Sequence, residues 1–586
     1  MALLRRTRTV GALMLALALP LAACGGGGDD NTKPDAAAAK PSAAAALTFG
    51  VDDQAVGPAP AIEGAVSGGT VRVLDDSDVA HLDPARVYVT TYNLVTNLIS
   101  RTLTGYRQND GKVTLVGDLA TNTGVTKDGG KTWTYTLRDG VTWEDGSTLT
   151  SADVKYGLER TFEAGYSEGP VYLQEWITGQ SDFRKIYAGP YSGKALDAIK
   201  TPDAKTVVLK LAAPHPDLPF ALALASGAPV KKSEDTRAKY DQRPFASGPY
   251  KIASRKIDKS MTLVRNTAWK PDSDPLHYQY PNSYEFQWGE QRLGQYQRLI
   301  AANGGDAAAV PLFADVPPEL LAQVTGSPDL MALVRQDLTP FVYQFSINVT
   351  RVPDLEVRKA LLQAFPKQQI RQISGGPPIG DLATTLGGPT LVGHQPDDIF
   401  GIPPQGDPAK AKATLQAAGK LGQKIVYAYA KTDTQQKIAV AVAQAWTDAG
   451  FQVVKKEISD KNFYDEIGQL DNKFDVYETG WGFDWPSGAS VYVPLFDSGR
   501  VAEQGTNYGQ FKDPAVDKEI KRILALTDQV AAGKAWAALD RTLLAKVPAI
   551  PYLYIKNFML TGPKIGNAHI DLVLGSINLN GLYVKP

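Results

Sequence analysis

Beyond residue 406 the chain settles into a regular exchange of helix and strand signals, and this exchange constrains the fold more than any other feature. Asp407-Pro408 supplies an N-cap followed by proline at the first helical position, and Gly419 supplies a stop. Residues 425–430 (I-V-Y-A-Y-A) read as a strand. Residues 434–449 read as a helix with Ile438, Val442 and Trp446 on one side, closed by Gly450. Residues 453–458 and 474–479 read as further strands with a helix between them. Strands and helices that take turns in this way predict an α/β layer, a parallel-rich sheet covered by helices.

The last of those strands runs into F-D-V-Y-E-T-G-W-G-F-D-W-P-S-G, residues 474–488. Gly480 and Gly482 predict a break, where the backbone turns or lets another chain approach closely. Asp484 follows between Phe483 and Trp485, and Pro486 ends regular structure. A carboxylate among rings just past a strand's carboxyl end stands where open α/β sheets bind ligands. The same residues also fit an Asp that caps a turn beside two core tryptophans, Trp481 and Trp485. Taken alone, they leave both readings open.

The beginning of the chain reads as targeting rather than fold. Arg5, Arg6 and Arg8 precede the apolar residues 10–21, and Leu21-Ala22-Ala23-Cys24 closes the run. This pattern predicts a secretory signal peptide over residues 1–23, too short to span a membrane. Its end resembles a bacterial lipobox. That resemblance implies lipidation of Cys24 and a protein held by its lipid anchor at the extracytoplasmic face of the cell membrane. Residues 24–67 are rich in Gly, Ala, Pro and Asp, with few large apolar residues, and predict a flexible stalk.

Composition excludes several classes. Cys24 is the single cysteine, so neither a disulfide framework nor a thiolate metal site can form. The formal net charge is −1, and the segment to be removed carries three of the basic residues, so the remaining chain is mildly acidic. That balance argues against nucleic acid as a partner. The five histidines are scattered, and neither a metal nor a cofactor is expected. Gly130-Lys131-Thr132 imitates the end of a phosphate-binding loop, but Val125 stands where the first glycine is required, and a hairpin turn is predicted instead. No G-x-S-x-G elbow, H-E-x-x-H helix or reactive cysteine occurs, so an enzyme is not expected.

The first half of the chain reads differently from the second. A strand begins near Thr70, His81-Leu82-Asp83-Pro84 marks a turn, and residues 92–103 look helical. Residues 112–137 are β-rich, and Thr150-x-x-Asp153 forms a capping box before a helix with Val154, Leu158 and Phe162 on one face. Strand-like residues 340–349 and 551–556 predict two crossings between domains, and residues 559–586 then return to the first.

Several landmarks together resemble the solute-binding protein family 5 of ABC importers, the extracellular peptide and nickel binders. They are G-G-T-V-R-V from Gly68, H-L-D-P-A from His81, L-R-D-G-V-T-W-E-D-G-S-T-L-T-S-A-D-V-K-Y-G-L-E-R from Leu137, and S-G-P-Y from Ser247. V-R-K-A-L-L-Q-A-F from Val357, D-P-A-K-A-K from Asp407, G-W-G-F-D-W-P from Gly480 and I-P-Y-L-Y from Ile550 complete the series. The resemblance implies an α/β fold: a two-lobed, periplasmic-binding-protein-like clamp with an extra β-rich subdomain in the first lobe. Lobe I would take residues 68–105, 200–340 and 556–586, the subdomain 106–199, and lobe II 341–555. A solute would lie between the lobes, buried by hinge closure.

The resemblance also implies a site. An extended oligopeptide would pair its backbone with Gly480, Trp481 and Gly482 in lobe II and with Tyr88, Val89 and Thr90 in lobe I. Asp484, three residues after Trp481, would hold the peptide's α-ammonium group, and Trp481 and Trp485 would wall the cleft. Arg351, Arg358 and Arg371 lie near in sequence, but none is assigned to the peptide carboxylate. Pro366-Lys367 and the segment 86–91 depart from the family pattern. The expected partners are an oligopeptide and the ABC permease subunits, and the protein is expected to be a monomer. The same clamp could instead take an oligosaccharide, an opine or a nickel chelate, or act as a surface sensor or chaperone without transport.

Overall fold

A computed structural model describes residues 48–586 except Asp110 and Ser167. The signal peptide, Cys24 and the first part of the stalk lie outside the described residues. The remainder of the expected stalk is structured. Thr48–Asp52 is a strand, paired in parallel with Lys112–Gly117, and Phe49 packs on Phe220 at 5.4 Å between ring centroids. Ala55 is buried, and Asp53 accepts from the Thr123 backbone N–H at 3.0 Å. Low complexity concealed one alternating segment, T-F-G-V-D, that finds a sheet edge.

Three layers of sheet organise the rest. The first is five-stranded, in the order Ala309–Pro311, Thr70–Leu74, Ser283–Gln287, Ser260–Arg265, Tyr250–Lys256. Thr70–Leu74 runs parallel to both of its neighbours. Val71 and Val73 point from it into a core with Leu94, Leu98 and Phe286, to which the C-terminal tail adds Ile565, Ile570, Ile577 and Leu582. Period-two alternation on the strand and the i, i+4 pair on the helix Thr90–Ile99 account for that burial.

The second layer is the β-rich subdomain. Its four-stranded sheet takes Val125–Thr126, Thr132–Thr136, Thr206–Lys210 and Ile199–Lys200 in that order. The strand Thr206–Lys210 therefore pairs inside the subdomain, although the sequence reading assigned it to the first lobe. Val207 and Leu209 alternate inward and pack with Tyr135, Val154, Leu158 and Phe162. The turn between Thr126 and Thr132 is a hairpin in which Asp128 accepts from the backbone N–H groups of Lys131 and Thr132, at 3.1 and 2.8 Å. The capping box opens the helix Ser151–Arg160, with Thr150 N–H donating to Asp153 at 2.8 Å.

The third layer is six-stranded, in the order Gly380–Leu382, Ala549–Leu560, Val334–Ile347, Val476–Gly482, Lys424–Ala430, Gln452–Ile458. It is mixed rather than parallel-rich. Lys424–Ala430 runs parallel to both of its neighbours, but the other pairings are antiparallel because two long strands enter from the first core. Val334 and Leu560 pair at one end, next to a cluster with Leu74 and Tyr296; Phe345 and Ile550 pair at the other, inside the second core with Trp446. The two strands thus connect the cores directly. Asp407 caps the helix Pro408–Ala417 through the Lys410 N–H at 2.8 Å, and Gly419 and Gly450 turn the chain with φ of +66° and +95°.

The motifs that carry the family resemblance meet in buried ion networks. Arg160, which ends the L-R-D-G segment, donates to Asp83 of H-L-D-P at 2.6 Å and to Asp235 at 2.9 Å, the side chains of all three almost fully buried. Its guanidinium lies over the rings of Tyr166 and Tyr240. Arg101 similarly joins Asp118 at 2.7 Å and Asp274 at 3.1 Å. Arg160→Met strands two buried carboxylates, and the expected loss of stability is about 3–5 kcal/mol, read as a lowered urea midpoint.

Candidate functional site

The strand Val476–Gly482 carries the site. It pairs along its length with Val334–Ile347, but Lys424–Ala430 reaches it only through Val476 and Tyr477. On that side the backbone from Glu478 to Gly482 has no strand neighbour among the described residues, and from Gly480 to Gly482 it is half-exposed, an edge that an extended chain can extend by β-augmentation. Gly480 and Gly482 do not break the strand, contrary to the sequence expectation. They lie within it opposite Tyr343 and Phe341, and a Cβ on either would approach those rings to 2.8 and 2.7 Å. The missing side chains make room for cross-strand aromatics. The Trp481 ring folds back onto its own lobe, its indole N–H donating to the Ser490 carbonyl at 2.8 Å.

Past the strand end the chain turns over the opposite wall. Asp484 accepts hydrogen bonds from the hydroxyls of Tyr88, at 3.0 Å, and of Tyr172. Both reach the same carboxylate oxygen, from segments 396 and 312 residues away. Burial pushes the Asp484 carboxyl up to about 6, against the pull of the two hydroxyl bonds. Among the described residues no cation pairs with it. A half-buried carboxylate flanked by tyrosines, with no counter-ion among the described residues, is chemically able to take a positive group.

Trp485 is enclosed rather than presented as a cleft wall. It is 1% exposed, stands edge-on to Tyr172 at 4.7 Å and to Trp176 at 5.9 Å, and donates its indole N–H to Asp217 at 2.9 Å. Gln529 also donates to Asp217, at 3.2 Å, and Arg500 pairs with Glu175 at 3.0 Å. The sequence reading missed Tyr172, Asp217, Glu175 and Arg500. One signal was available: Tyr172 and Trp176 are aromatic residues at i, i+4 on the helix Tyr172–Thr178.

The expected segment at Tyr88, Val89 and Thr90 offers no strand. Val89 is the N-cap of the helix Thr90–Ile99, and its carbonyl accepts from the Tyr92 and Asn93 N–H groups at 3.0 and 3.2 Å. The Tyr88 carbonyl accepts from the Asn93 amide at 3.1 Å. Helix capping consumes these acceptors, and Tyr88 contributes through its hydroxyl instead. Nearby, a cavity of about 520 Å³ opens at the carboxyl ends of Thr70–Leu74 and Ala309–Pro311, lined by Asp75, Asp78, Tyr92, Arg292 and Phe313. Arg351 is spent on Asp475 at 2.7 Å, Arg358 on the carbonyls of Lys546 and Val352, and Arg371 on Gln368. Asp118, Asp274 and His277 could together reach one metal ion, but Arg101 already pairs with both carboxylates.

The family model described as bacterial extracellular solute-binding proteins, family 5 Middle, matches residues 114–503, well over half the chain. The chain belongs to this family. Among relatives of family 5, the periplasmic oligopeptide-binding protein OppA of Salmonella typhimurium is 25% identical over 474 residues, 78% of this chain and 81% of that one. The periplasmic murein peptide-binding protein MppA of Escherichia coli is 23% identical over 448 residues, covering 74% and 78%. A solved structure of clavulanic acid biosynthesis oligopeptide binding protein 2 superposes with a TM-score of 0.83 at 28% identity, covering 93% of this chain and 99% of that chain. Family 5 membership makes the protein a two-lobed solute-binding clamp that works outside the cytoplasm, not an enzyme.

The sign of the Asp484 linkage gives a test. A carboxyl raised in the fold from 3.8 to about 6 disfavours the folded state above pH 6, and that cost disappears as pH falls toward 4. Asp484→Asn can keep an oxygen before both tyrosines while removing the charge. It is expected to stabilise the unliganded protein by about 1–3 kcal/mol at pH 7 and to have little effect at pH 4, measured by chemical denaturation at both.

Proposed function

We propose that the protein captures extended oligopeptides between its two lobes and delivers them to the permease of an ABC importer. The uncompensated carboxylate of Asp484 at the end of an open strand edge carries this reading. A free α-ammonium group is the one positive charge every unmodified peptide brings, and a carboxylate placed for it recognises peptides without reading their sequence. Backbone pairing along residues 478–482 adds affinity that is equally indifferent to side chains. The relatives named above, oligopeptide-binding and murein peptide-binding proteins, support the same ligand class.

In this proposal lobe I comprises residues 68–105, 200–340 and 556–586 with the β-rich subdomain 106–199, though Thr206–Lys210 pairs with the subdomain sheet, and lobe II comprises 341–555. The strands Val334–Ile347 and Ala549–Leu560 are the hinge. Tyr88 and Tyr172 close over Asp484, and Trp485 docks on Asp217 as the lobes meet. Lipid attachment at Cys24 would hold the monomer at the membrane. An oligosaccharide fits less well, because Trp485 is enclosed and Trp481 is tied to Ser490, which leaves no pair of free indole faces for stacking.

Calorimetric titration with a free-amino tetra-alanine peptide and its N-acetylated twin tests the ammonium site. The acetylated peptide should bind at least about thirtyfold more weakly, and Asp484→Asn should erase the difference. Binding needs the ionised carboxylate, so affinity for the free-amino peptide should fall as pH drops below 6, by up to about tenfold per unit. Equal affinity of the two peptides would overturn the assignment.

A further inference from the structure

A second carboxylate lies on the same strand. Glu478 stands two residues before Gly480, and among the described residues it has no cationic partner. It is only 9% exposed, and its charge is met by a hydrogen bond from the Tyr552 hydroxyl, with the Gln435 side chain helping to hold the ionised form. Burial lifts its carboxyl to about 7. Keeping such a group inside a protein costs several kcal/mol unless a counter-charge arrives.

Its neighbours point the same way. The Tyr427 hydroxyl is fully buried and, among the described residues, has no hydrogen-bond partner, and neither has the side-chain oxygen of Gln435. Tyr427 and Tyr343 both feel the Glu478 charge, and the ring of Tyr343 lies 6.3 Å from that of Tyr552. One corner of the second lobe therefore holds an unpaired carboxylate, two unused oxygen acceptors and three tyrosine rings. A water-like or anionic group would leave the charge uncompensated. A group that only donates hydrogen bonds and carries positive charge satisfies every member, and the ring faces add cation–π attraction. Tyr343, which stands beside this corner, and Tyr464 are 38% and 49% exposed, so a ligand approaching from the Gly480–Gly482 edge meets the corner on that side.

We infer that Glu478, Gln435, Tyr427 and Tyr343 form a second, cation-binding subsite that takes a basic side chain, ammonium or guanidinium, of the same ligand. The inference rests on the peptide reading and narrows it to peptides with a lysine- or arginine-like residue. Glu478 precedes Gly482 by roughly four strand residues, about 13 Å at about 3.3 Å per residue. An extended ligand whose amino end meets Asp484 would thus present its basic residue roughly three to six positions along. Glu478 also lies near the carboxyl end of Lys424–Ala430 and the start of the helix Asp433–Asp448, the end of an α/β layer where ligands bind.

Alanine heptapeptides carrying lysine, arginine or norleucine at each internal position in turn, titrated calorimetrically at pH 8, test the subsite. At one position lysine or arginine should bind on the order of tenfold or more tighter than norleucine. Glu478→Gln should bring that ratio to near unity, and Tyr427→Phe should reduce it. Equal affinity of basic and norleucine peptides at every position in the wild-type protein, which needs no variant, would overturn the inference, as would a ratio undiminished by Glu478→Gln. If no peptide binds at all, the peptide reading fails separately, and cadaverine alone decides the subsite. Saturable cadaverine binding lost in Glu478→Gln would retain it, and no cadaverine binding to the wild type would overturn it.

Discussion

Asp484 is a half-buried carboxylate that, among the described residues, has no positive partner and is met by tyrosine hydroxyls from the opposite wall. Everything around it serves to hold that arrangement. Two hydroxyl bonds lower the cost of the charge but do not cancel it, so the carboxyl stays raised to about 6. An ammonium group entering the site would recover the desolvation energy that the fold has already spent, and affinity would come from relief of an existing cost as much as from new contact. The same logic applies at Glu478, where Tyr552 plays the part of Tyr88 and Tyr172.

A site of this kind needs rigid walls. The first wall is held by Arg160, whose guanidinium is shared between Asp83 and Asp235, and by Arg101 between Asp118 and Asp274. These networks fasten the β-rich subdomain, which supplies Tyr172, to the sheet whose helix Thr90–Ile99 positions Tyr88. The second wall is the mixed sheet, whose long strands Val334–Ile347 and Ala549–Leu560 also form the connection to the first core. A strand pair can flex along its length without losing its ladder. Placing the site on the neighbouring strand couples the binding edge directly to that connection.

Local devices were legible in the sequence, and devices that need a distant partner were not. Asp407, Thr150, Gly419 and Gly450 could be read as caps and stops because their chemistry is completed within four residues. The burial of Trp446 followed from helical period alone. Gly480 and Gly482 misled, because the rings that need their space, Tyr343 and Phe341, come from a strand far back in the chain. Trp485 looked like a cleft wall because nothing local announces Trp176 or Asp217. Thr48–Asp52 was hidden inside a segment whose composition speaks for a tether, and only the edge of Lys112–Gly117 makes it a strand. Asp484 could be singled out from its place past a strand end, but its tyrosine partners could not.

Recognition at Asp484 turns on a proton. A carboxyl near 6 in the free protein must become fully ionised when an ammonium group docks on it, so binding at pH 6 should expel close to half a proton into the buffer. Calorimetry of a lysine-free peptide at pH 6, repeated in buffers of different ionisation enthalpy, measures that number directly. Release of about half a proton, absent in Asp484→Asn, is the expected result; binding of the same affinity with no proton exchanged would contradict the central claim.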